Sequence, residues 1–304
     1  MKTVTVIIPT FNRWPDVCSA IDSCLNQSYQ KTKCMIVDDR SNDSTVALLT
    51  DKYGSDISNA LRDENKGQSF CKKLRVDSCN RDNVCFLDSD DVLAHDAVEQ
   101  RVSLFNEIET GACVSFGIFR TSATERSDLL YQKKRGDKLL LEEYLAQHDY
   151  CHNNAFLIDR EVFLADGMYD TRLRNKEDIE LILRLLSKYP FYYCGTEVGE
   201  VRSICGSNRA RNNHERIIAQ EGVFSDIILS NVELRNTLSQ ALMHKLICAD
   251  TEEILRSLYK LGRYSNYRSY YKQALKQGNI RNLRRFSQRF WLSYVKEFSK
   301  KIIR

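Results

Sequence analysis

The sequence of 304 residues contains few of the residues that interrupt regular structure, with only 3 prolines and 12 glycines. Together with a hydrophobic fraction of 42%, this excludes a low-complexity or disordered chain and supplies the side chains for a large core. No run of 18 apolar residues is present, so the sequence predicts no helix that spans a membrane. Its length predicts one large domain or two of ordinary size.

The 11 cysteines are scattered and never form a Cys-x-x-Cys pair. Their spacing therefore supports neither a zinc site nor a disulfide framework. The N-terminal run "MKTVTVIIPTFNR" is too short for a signal peptide and is interrupted by Pro9 and Asn12. We expect it to form a buried strand, and we expect a cytoplasmic protein with reduced thiols.

Charge is distributed unevenly along the chain, although the net value is only +4. Residues 254–304 contain 14 lysines and arginines and one acidic residue, Glu297, so this segment carries +13 and the remainder −9. Such asymmetry is typical of a partner surface. Tyrosines mixed with basic residues at 261–276 also occur in nucleic-acid binders, but the acidic remainder argues against a nucleic-acid partner.

The last segment, 284–304, combines aromatic and basic residues at helical spacing. The aromatic residues are Phe286, Phe290, Trp291, Tyr294 and Phe298, and the flanking basic residues are Arg285, Arg289, Lys296 and Lys300. This pattern has two interpretations. Either the aromatic side chains pack on the rest of the protein and the charges are solvated, or the helix lies on an anionic membrane.

Strand and helix patterns alternate in the first part of the chain. Apolar, β-branched runs predict strands at 3–10, 33–39, 56–63 and 83–87, separated by helical patterns. This alternation predicts an α/β fold with a mostly parallel central sheet flanked by helices. From about residue 215 the pattern is helical throughout, which predicts an all-helical C-terminal extension.

Ligands of such sheets bind beyond the carboxyl ends of the strands. Three of these ends are recognisable as "PTFN" at 9–12, "DDRSND" at 38–43 and "DSDD" at 88–91. Two of the three are acidic. Because like charges repel one another, the crevice where they meet requires a cation.

The spacing of Asp88 and Asp90 allows two carboxylates to chelate a divalent cation at a strand end. Hard oxygen ligands of this kind favour Mg²⁺ or Mn²⁺. The alternative is a solvated turn in which Asp91 caps a helix that begins near Val92.

Five motifs in a fixed order resemble those of family 2 glycosyltransferases, which have the GT-A fold. They are "VTVIIPTFNR" (4–13), "NQSY" (26–29), "IVDDRSND" (36–43), "NKGQSFCKK" (65–73) and "FLDSDD" (86–91). Typical family sequences read VSVIIPTYNR, NQTY, VDDGSxD, NxGxxxARN and FLDSDD. The resemblance is tight over about 3–95 and looser over 150–210.

The resemblance implies a binding site for a nucleotide sugar. Its nucleotide-binding residues would be Pro9, Thr10, Phe11, Asn12, Asp38, Asp39, Lys72, Asp88, Ser89, Arg209 and Arg211. Phe11 would pack on the base or ribose, and Asp39 would accept from the uracil imide N–H. Lys72 stands near the diphosphate where the family usually has Arg, and it keeps the charge without the bidentate fork.

The resemblance also implies a metal cofactor, Mn²⁺ or Mg²⁺, with Asp90 and Asp88 as its ligands. Family members often add a His in a "YRxHxGS" segment, but the matching stretch here has Ile204 at that position. Either the aspartates and the diphosphate hold the metal alone, or Cys205 contributes, or dependence on metal is weak. Arg209 and Arg211 are candidate clamps on the diphosphate.

Inverting sugar transfer requires a carboxylate base that takes the proton of the acceptor hydroxyl. "NKEDIELILRLL" (175–186) resembles the segment in which the family carries an ED dipeptide before a helix. The resemblance makes Asp178 the base and Glu177 its neighbour or an acceptor ligand. The alternative is an ordinary acidic helix start. His152 and Asn153, with Asn154, are candidates to face the acceptor, or they form a structural polar cluster.

The sequence as a whole therefore predicts an inverting glycosyltransferase of hexosyl or N-acetylhexosaminyl type. It would use a UDP-sugar and act on a glycan or lipid-linked saccharide in bacterial surface polysaccharide biosynthesis. Residues 1–214 would form the catalytic domain, with halves 1–95 and 96–214, and 215–304 a basic helical region. The protein would be cytoplasmic, with peripheral membrane contact through 284–304. Alternatives are a non-catalytic binding or scaffold subunit and a sugar-phosphate nucleotidyltransferase, although "PTFNRWPD" lacks the glycine-rich phosphate loop of the latter.

Overall fold

The computed structural model describes residues 2–60, 71, 76, 82–108, 113–121, 129–146, 152–202 and 214–302. The chain divides into two compact units. The first comprises residues 1–171 and 177–207, and the second comprises 172–176 and 208–304. The domain boundaries predicted from the sequence at 95/96 and 214/215 stay predictions.

The first unit is built on a mixed sheet, in which nine strands fall within the described residues. They are β1 (Val4–Thr10), β2 (Thr32–Asp38), β3 (Ile57–Ala60), β4 (Asn83–Phe86), β5 (Val92–Leu93), β6 (Val114–Arg120), β7 (Lys138–Leu139), β8 (Phe156–Asp159) and β9 (Phe191–Glu200). Their order is β3-β2-β1-β4-β8-β6-β9-β5, and β7 pairs with β9 off this path. All seven residues of β1 are buried, as its continuous apolar run predicts.

The predicted parallel arrangement holds for the block β3-β2-β1-β4. Ile7 of β1 lies opposite Met35 of β2 and Phe86 of β4. Thr10, the last residue of β1, lies opposite Asp38, the last residue of β2. The carboxyl ends of these strands therefore meet at one edge of the sheet, which we call the strand-end edge.

Strand β8 runs in the opposite direction and lies between β4 and β6. Cys85 of β4 pairs with Leu157, and Phe116 of β6 pairs with Phe156. Because β8 is antiparallel to β4, its first residues and the turn before it lie at the strand-end edge. That turn is a single 3₁₀ turn, Asn153–Ala155.

The described helices of the first unit connect or follow these strands. They are α1 (Val17–Leu25), α2 (Thr45–Tyr53), α3 (Ala97–Glu107), α4 (Leu129–Gln132), α5 (Leu141–Ala146), α6 (Arg160–Ala165) and α7 (Glu177–Leu186), with a 3₁₀ turn at Gly54–Asp56. No helix begins at Val92, because residues 92–93 form β5 and pair with Glu200 and Gly199 of β9. The alternative in which Asp91 caps a helix is therefore wrong.

The described part of the second unit from residue 214 onward consists of helices and short connections, which confirms the helical C-terminal extension. Its helices are α8 (His214–Ala219), α9 (Val223–Ser230), α10 (Val232–Thr237), α11 (Gln240–Lys260), α12 (Tyr264–Lys276) and α13 (Leu283–Ile302). Phe286 of α13 is completely buried in a core that includes Leu255, Leu258 and Tyr267. None of the described helices combines the length and apolarity that crossing a membrane requires.

A polar network inside the second unit holds the short segment that precedes α7. The ammonium group of Lys176 lies 2.5 Å from Asp250 Oδ1 and 2.7 Å from Glu253 Oε2. The other Asp250 oxygen accepts from the Ser225 hydroxyl at 2.7 Å. Asp250 and Lys176 are both largely buried, so neither charge is left without compensation.

Candidate active site

The ends of β1 and β2 are joined by hydrogen bonds between the loops that follow them. The Asp39 backbone N–H donates to Thr10 O at 2.9 Å. Asp38 accepts from the backbone and the hydroxyl of Ser41, and the Ser41 hydroxyl accepts from the Asn12 backbone N–H at 2.8 Å. Asp38 thereby fixes the loop that carries Asp39.

This loop pair places a half-exposed ring beside buried carboxylates. Phe11 exposes 43% of its surface, whereas Asp38 and Asp39 are buried. The Thr10 hydroxyl is also buried, and it has no hydrogen-bond partner among the described residues. Pro9 lies inside β1 opposite Val37. An open ring next to a buried acceptor can stack on a base and accept one of its N–H groups.

The acidic motif follows β4 at the same edge. The Leu87 N–H donates to Ile7 O at 3.0 Å and extends the pairing of β1 and β4 by one residue. The Asp91 N–H then donates to Asp88 O at 3.1 Å, which closes a tight turn around the buried Ser89. Asp90 points to a different partner, because its Oδ2 lies 3.7 Å from Arg13 Nη2.

Asp88, Asp91 and His152 form a group that could hold a metal ion. One ligand atom from each lies within 4.8 Å of the other two. His152 Nε2 lies 3.9 Å from Asp88 Oδ2, and the imidazole stacks on the Phe119 ring with centroids 5.4 Å apart. The stacking fixes the ring, and the antiparallel direction of β8 explains why His152 reaches this edge.

The donor set of this group fits a divalent cation. Two carboxylates supply hard oxygens and a charge of −2, and the imidazole supplies a nitrogen that Mn²⁺ accepts. A cation would relieve the repulsion between Asp88 and Asp91. The sequence-based choice of Asp90 as a ligand stays a prediction, and the contact with Arg13 gives this residue a second role.

The helix that carries the predicted base begins at the ED dipeptide. Glu177 is buried, and Asp178 is half-buried with its Oδ1 accepting from the Ile179 N–H at 2.8 Å. Helix α7 packs against the 3₁₀ turn that contains Asn153. The metal-binding group and the predicted base are thus carried by elements in direct contact.

Arg184 anchors the second half of α7. Its guanidinium donates to both Glu180 oxygens, to Asp166 and to Met168 O. Burial alone would lower the pKa of Arg184, but hydrogen bonds to and charges of Glu180 and Asp166 outweigh it and raise the pKa. The permanent charge makes Arg184 a fixed support for the helix.

Several residues were missed or assigned otherwise from the sequence. The sequence indicates Asp91 as a helix cap and His152 as an acceptor contact or part of a structural polar cluster, and it does not indicate the contact of Arg13 with Asp90. The signal was the polar run "HNN" directly before a strand, but the sequence does not reveal that this strand runs antiparallel. Lys72, Ile204, Cys205, Arg209 and Arg211 lie outside the described residues.

The fold is similar to those of solved glycosyltransferase structures. A fragment of Staphylococcus aureus TarS, residues 1–349, matches with a TM-score of 0.63 at 14% identity, over 98% of this chain and 91% of that chain. The same fragment has been solved with UDP-GlcNAc (TM-score 0.61, 14% identity, 91% and 92% of the two chains). The mannosyltransferase PcManGT of Pyrobaculum calidifontis, solved with GDP-Man and Mn²⁺, matches at 0.59 and 15%, over 99% and 88%. The protein therefore shares the GT-A fold of these structures.

The family follows from sequence comparison. The profile of the family described as Glycosyl transferase family 2 matches residues 5–164, more than half of the chain, and the chain belongs to that family. Chondroitin synthase of Escherichia coli is 26% identical over 223 residues, 71% of this chain and 32% of that protein. The amylovoran biosynthesis glycosyltransferase AmsB of Erwinia amylovora is 27% identical over 196 residues, 60% and 64%. The match thus spans less than two thirds of either relative.

Proposed function

We propose that this protein is an inverting glycosyltransferase of hexosyl or N-acetylhexosaminyl type. It transfers a sugar from a UDP-sugar to a hydroxyl group of a glycan or a lipid-linked saccharide, in bacterial surface polysaccharide biosynthesis. The observation that carries the proposal is the meeting of Asp39, Asp88, Asp91 and His152 at one edge of the sheet. The TarS fragment solved with UDP-GlcNAc and the name of AmsB support the choice of donor and pathway.

The nucleotide binds, in this proposal, across the ends of β1 and β2. Phe11 covers one face of the uracil ring, and Asp39 accepts its single imide N–H between the two carbonyl groups. The Asp38–Ser41–Asn12 hydrogen bonds hold both loops in place before the nucleotide arrives. The loops therefore lose less conformational entropy when the nucleotide binds.

The diphosphate lies toward the acidic turn in this proposal. Asp88, Asp91 and His152 would hold Mn²⁺ or Mg²⁺, with Asp90 as the further ligand that the family resemblance implies. The bound cation supplies charge that neutralises the diphosphate as it leaves. PcManGT, which was solved in complex with GDP-Man and Mn²⁺, supports this choice of metal.

Asp178 acts as the base in the proposed reaction. It accepts the proton of the acceptor hydroxyl while that oxygen forms a bond to the anomeric carbon. The bond from this carbon to the β-phosphate oxygen breaks, and its electron pair leaves with UDP. Because attack and departure occur on opposite faces, the configuration inverts. Asp178 lies in the first turn of α7, at the positive end of the helix dipole.

The final helix is proposed as a peripheral membrane contact at the inner face of the cytoplasmic membrane. Trp291, Leu292 and Val295, which we call the apolar face of α13, are all exposed, with Trp291 at 69%. The other side of the helix packs within the second unit through Phe286. In this proposal the two interpretations of this segment apply to different faces of one helix.

Charges around the apolar face favour an anionic surface. Arg284, Arg285 and Lys296 are exposed on α13. Glu297, the sole acidic residue of 254–304, is ion-paired with Arg268. No other acidic residue of 254–304 offsets the basic side chains of the helix. Its net positive charge therefore favours binding to acidic lipids.

A screen of nucleotide sugars by thermal shift, with and without Mn²⁺, tests the donor and the metal together. UDP and one UDP-sugar should raise the melting temperature, and Mn²⁺ should increase the rise. Transfer or donor hydrolysis with Mn²⁺ then excludes a non-catalytic scaffold. A response only to other nucleotides would overturn the donor assignment, and uptake of a sugar phosphate with a nucleoside triphosphate would indicate a nucleotidyltransferase.

A further inference from the structure

We infer that Asn154 is the residue that positions the two metal-binding carboxylates, through one amide that bonds to both aspartates. This inference rests on the metal site of the proposed function. Asn154 is completely buried in the 3₁₀ turn before β8. Its Oδ1 accepts from the Asp88 backbone N–H at 3.3 Å, and its Nδ2 donates to Asp91 Oδ2 at 2.9 Å.

An amide satisfies both aspartates at once. Asp88 offers a backbone donor and Asp91 offers a carboxylate acceptor, so the residue between them needs an acceptor and a donor on one short side chain. A carboxylate at this position would lose the donor and repel Asp91. An apolar side chain would remove both of these hydrogen bonds.

Asp91 is thereby oriented from both sides. Its Oδ2 accepts from Asn154, and its Oδ1 accepts from the Arg202 backbone N–H at 3.1 Å. Each carboxylate oxygen has two lone pairs, so both oxygens can also face a cation. Hydrogen-bonded carboxylates of this kind are typical metal ligands, because the outer partners set their orientation.

The backbone of Asn154 is held in turn by Arg101, a completely buried residue of α3. Arg101 Nη1 donates to the carbonyl oxygens of Asn154 and Phe156, each at 3.3 Å, and its Nε donates to Ala97 O at 2.9 Å. A buried guanidinium therefore fixes the turn on which the amide depends. The chain of contacts runs from α3 through the turn to the metal-binding aspartates.

The test compares Mn²⁺ affinity with uridine affinity in full-length variants. Asn154→Leu keeps the approximate shape and removes both hydrogen bonds, and Asn154→Ala, which also removes both, is measured in its place should the leucine variant not fold. We expect Mn²⁺ binding, titrated with UDP present, to weaken by about 10- to 100-fold. Uridine, which has no diphosphate and needs no metal, should bind with unchanged affinity. A residue that only supported the fold would weaken both.

Two further variants separate this inference from the metal site itself. Asp91→Asn removes a proposed ligand, and Asn231→Ala removes an amide acceptor that caps α10 in the second unit. If Asp91→Asn leaves Mn²⁺ affinity unchanged, the metal site is wrong. If Asp91→Asn weakens Mn²⁺ binding and Asn154→Leu or Asn154→Ala does not, the inference is overturned. Asn231→Ala should lower the melting temperature without affecting Mn²⁺.

Discussion

The strand-end edge and the apolar face of α13 differ in which kind of side chain is buried and which is exposed. At the edge, polar groups are buried and joined to one another, as in the contacts of Asn154 with Asp88 and Asp91. On α13, large apolar groups are exposed and flanked by arginines. The first arrangement suits a small charged ligand that must be held at a fixed angle. The second suits an extended surface that imposes no geometry.

The largest effect expected at the edge is on chemistry. Asp178→Asn should reduce the transfer rate by about 10²- to 10⁴-fold, because the variant cannot accept the hydroxyl proton. UDP affinity, measured by calorimetry, should stay the same. Glu161→Gln, which changes an exposed acid in the first turn of α6, is the matched control and should be fully active. Transfer at the normal rate by Asp178→Asn would remove this residue from the mechanism.

The next largest effect is expected on the stability of the second unit, where the cost of removing an ion-pair partner depends on its burial. Asp250→Ala leaves the largely buried Lys176 ammonium without its closest partner and should lower the free energy of unfolding by about 3 kcal/mol. Glu215→Ala removes an exposed ion pair with Arg263 and should cost about 0.5 kcal/mol. Urea denaturation of both variants measures the difference. Equal costs would show that the Lys176 network is not buried as described.

The nucleotide pocket gives an effect of intermediate size. Asp39→Ala removes an acceptor for the uracil N–H and should weaken UDP binding by about 10- to 100-fold, since a hydrogen bond to a charged group is worth about 1.5–3 kcal/mol. Asp51→Ala, an exposed change on α2, serves as the control for lost charge. Calorimetry that finds the same UDP affinity in Asp39→Ala and the unchanged protein would rule out the uracil assignment.

The smallest effect is expected on the apolar face of α13. Trp291→Ser should reduce binding to phosphatidylglycerol vesicles by about tenfold, because a large side chain is no longer transferred from water. Leu229→Ser, at an exposed position of α9 in the same unit, is the control. Co-sedimentation at low and high salt measures both, and binding should fall with salt. No binding of the unchanged protein to anionic vesicles would end the membrane proposal.

The first four strands and the motifs at their ends could be predicted because both signals are local. A continuous apolar run followed by polar turn residues predicts a buried parallel strand and its ligand-facing end, and β1, β2 and β4 follow that rule. The predicted GT-A fold and the predicted helical C-terminal extension are confirmed by the structure and by its similarity to solved structures. The resemblance to family 2 glycosyltransferases is confirmed by the family match.

The other features of the site depend on the direction of the strands and on which polar side chains contact one another. Hydrophobic periodicity encodes neither. The pattern of "NAFLI" predicts a strand but not that it runs antiparallel between β4 and β6, and this direction brings His152 to Asp88 and Asp91. Asp90 could not be assigned to Arg13 either, because the contact joins two loops more than 70 residues apart. Contacts between polar side chains that are distant in sequence thus determine which residues form the candidate site.

The position of β8 also determines the order in which the site can assemble during folding. The loops that follow β1 and β2 make their contacts between residues 10 and 41, whereas the candidate metal-binding group needs contacts between residues 88–91, 152–154 and 202. Since loop closure over long separations costs entropy before any contact compensates for it, distant pairings form slowly. We expect refolding protein to regain uridine binding before Mn²⁺ binding, so that metal affinity reports on completion of the sheet.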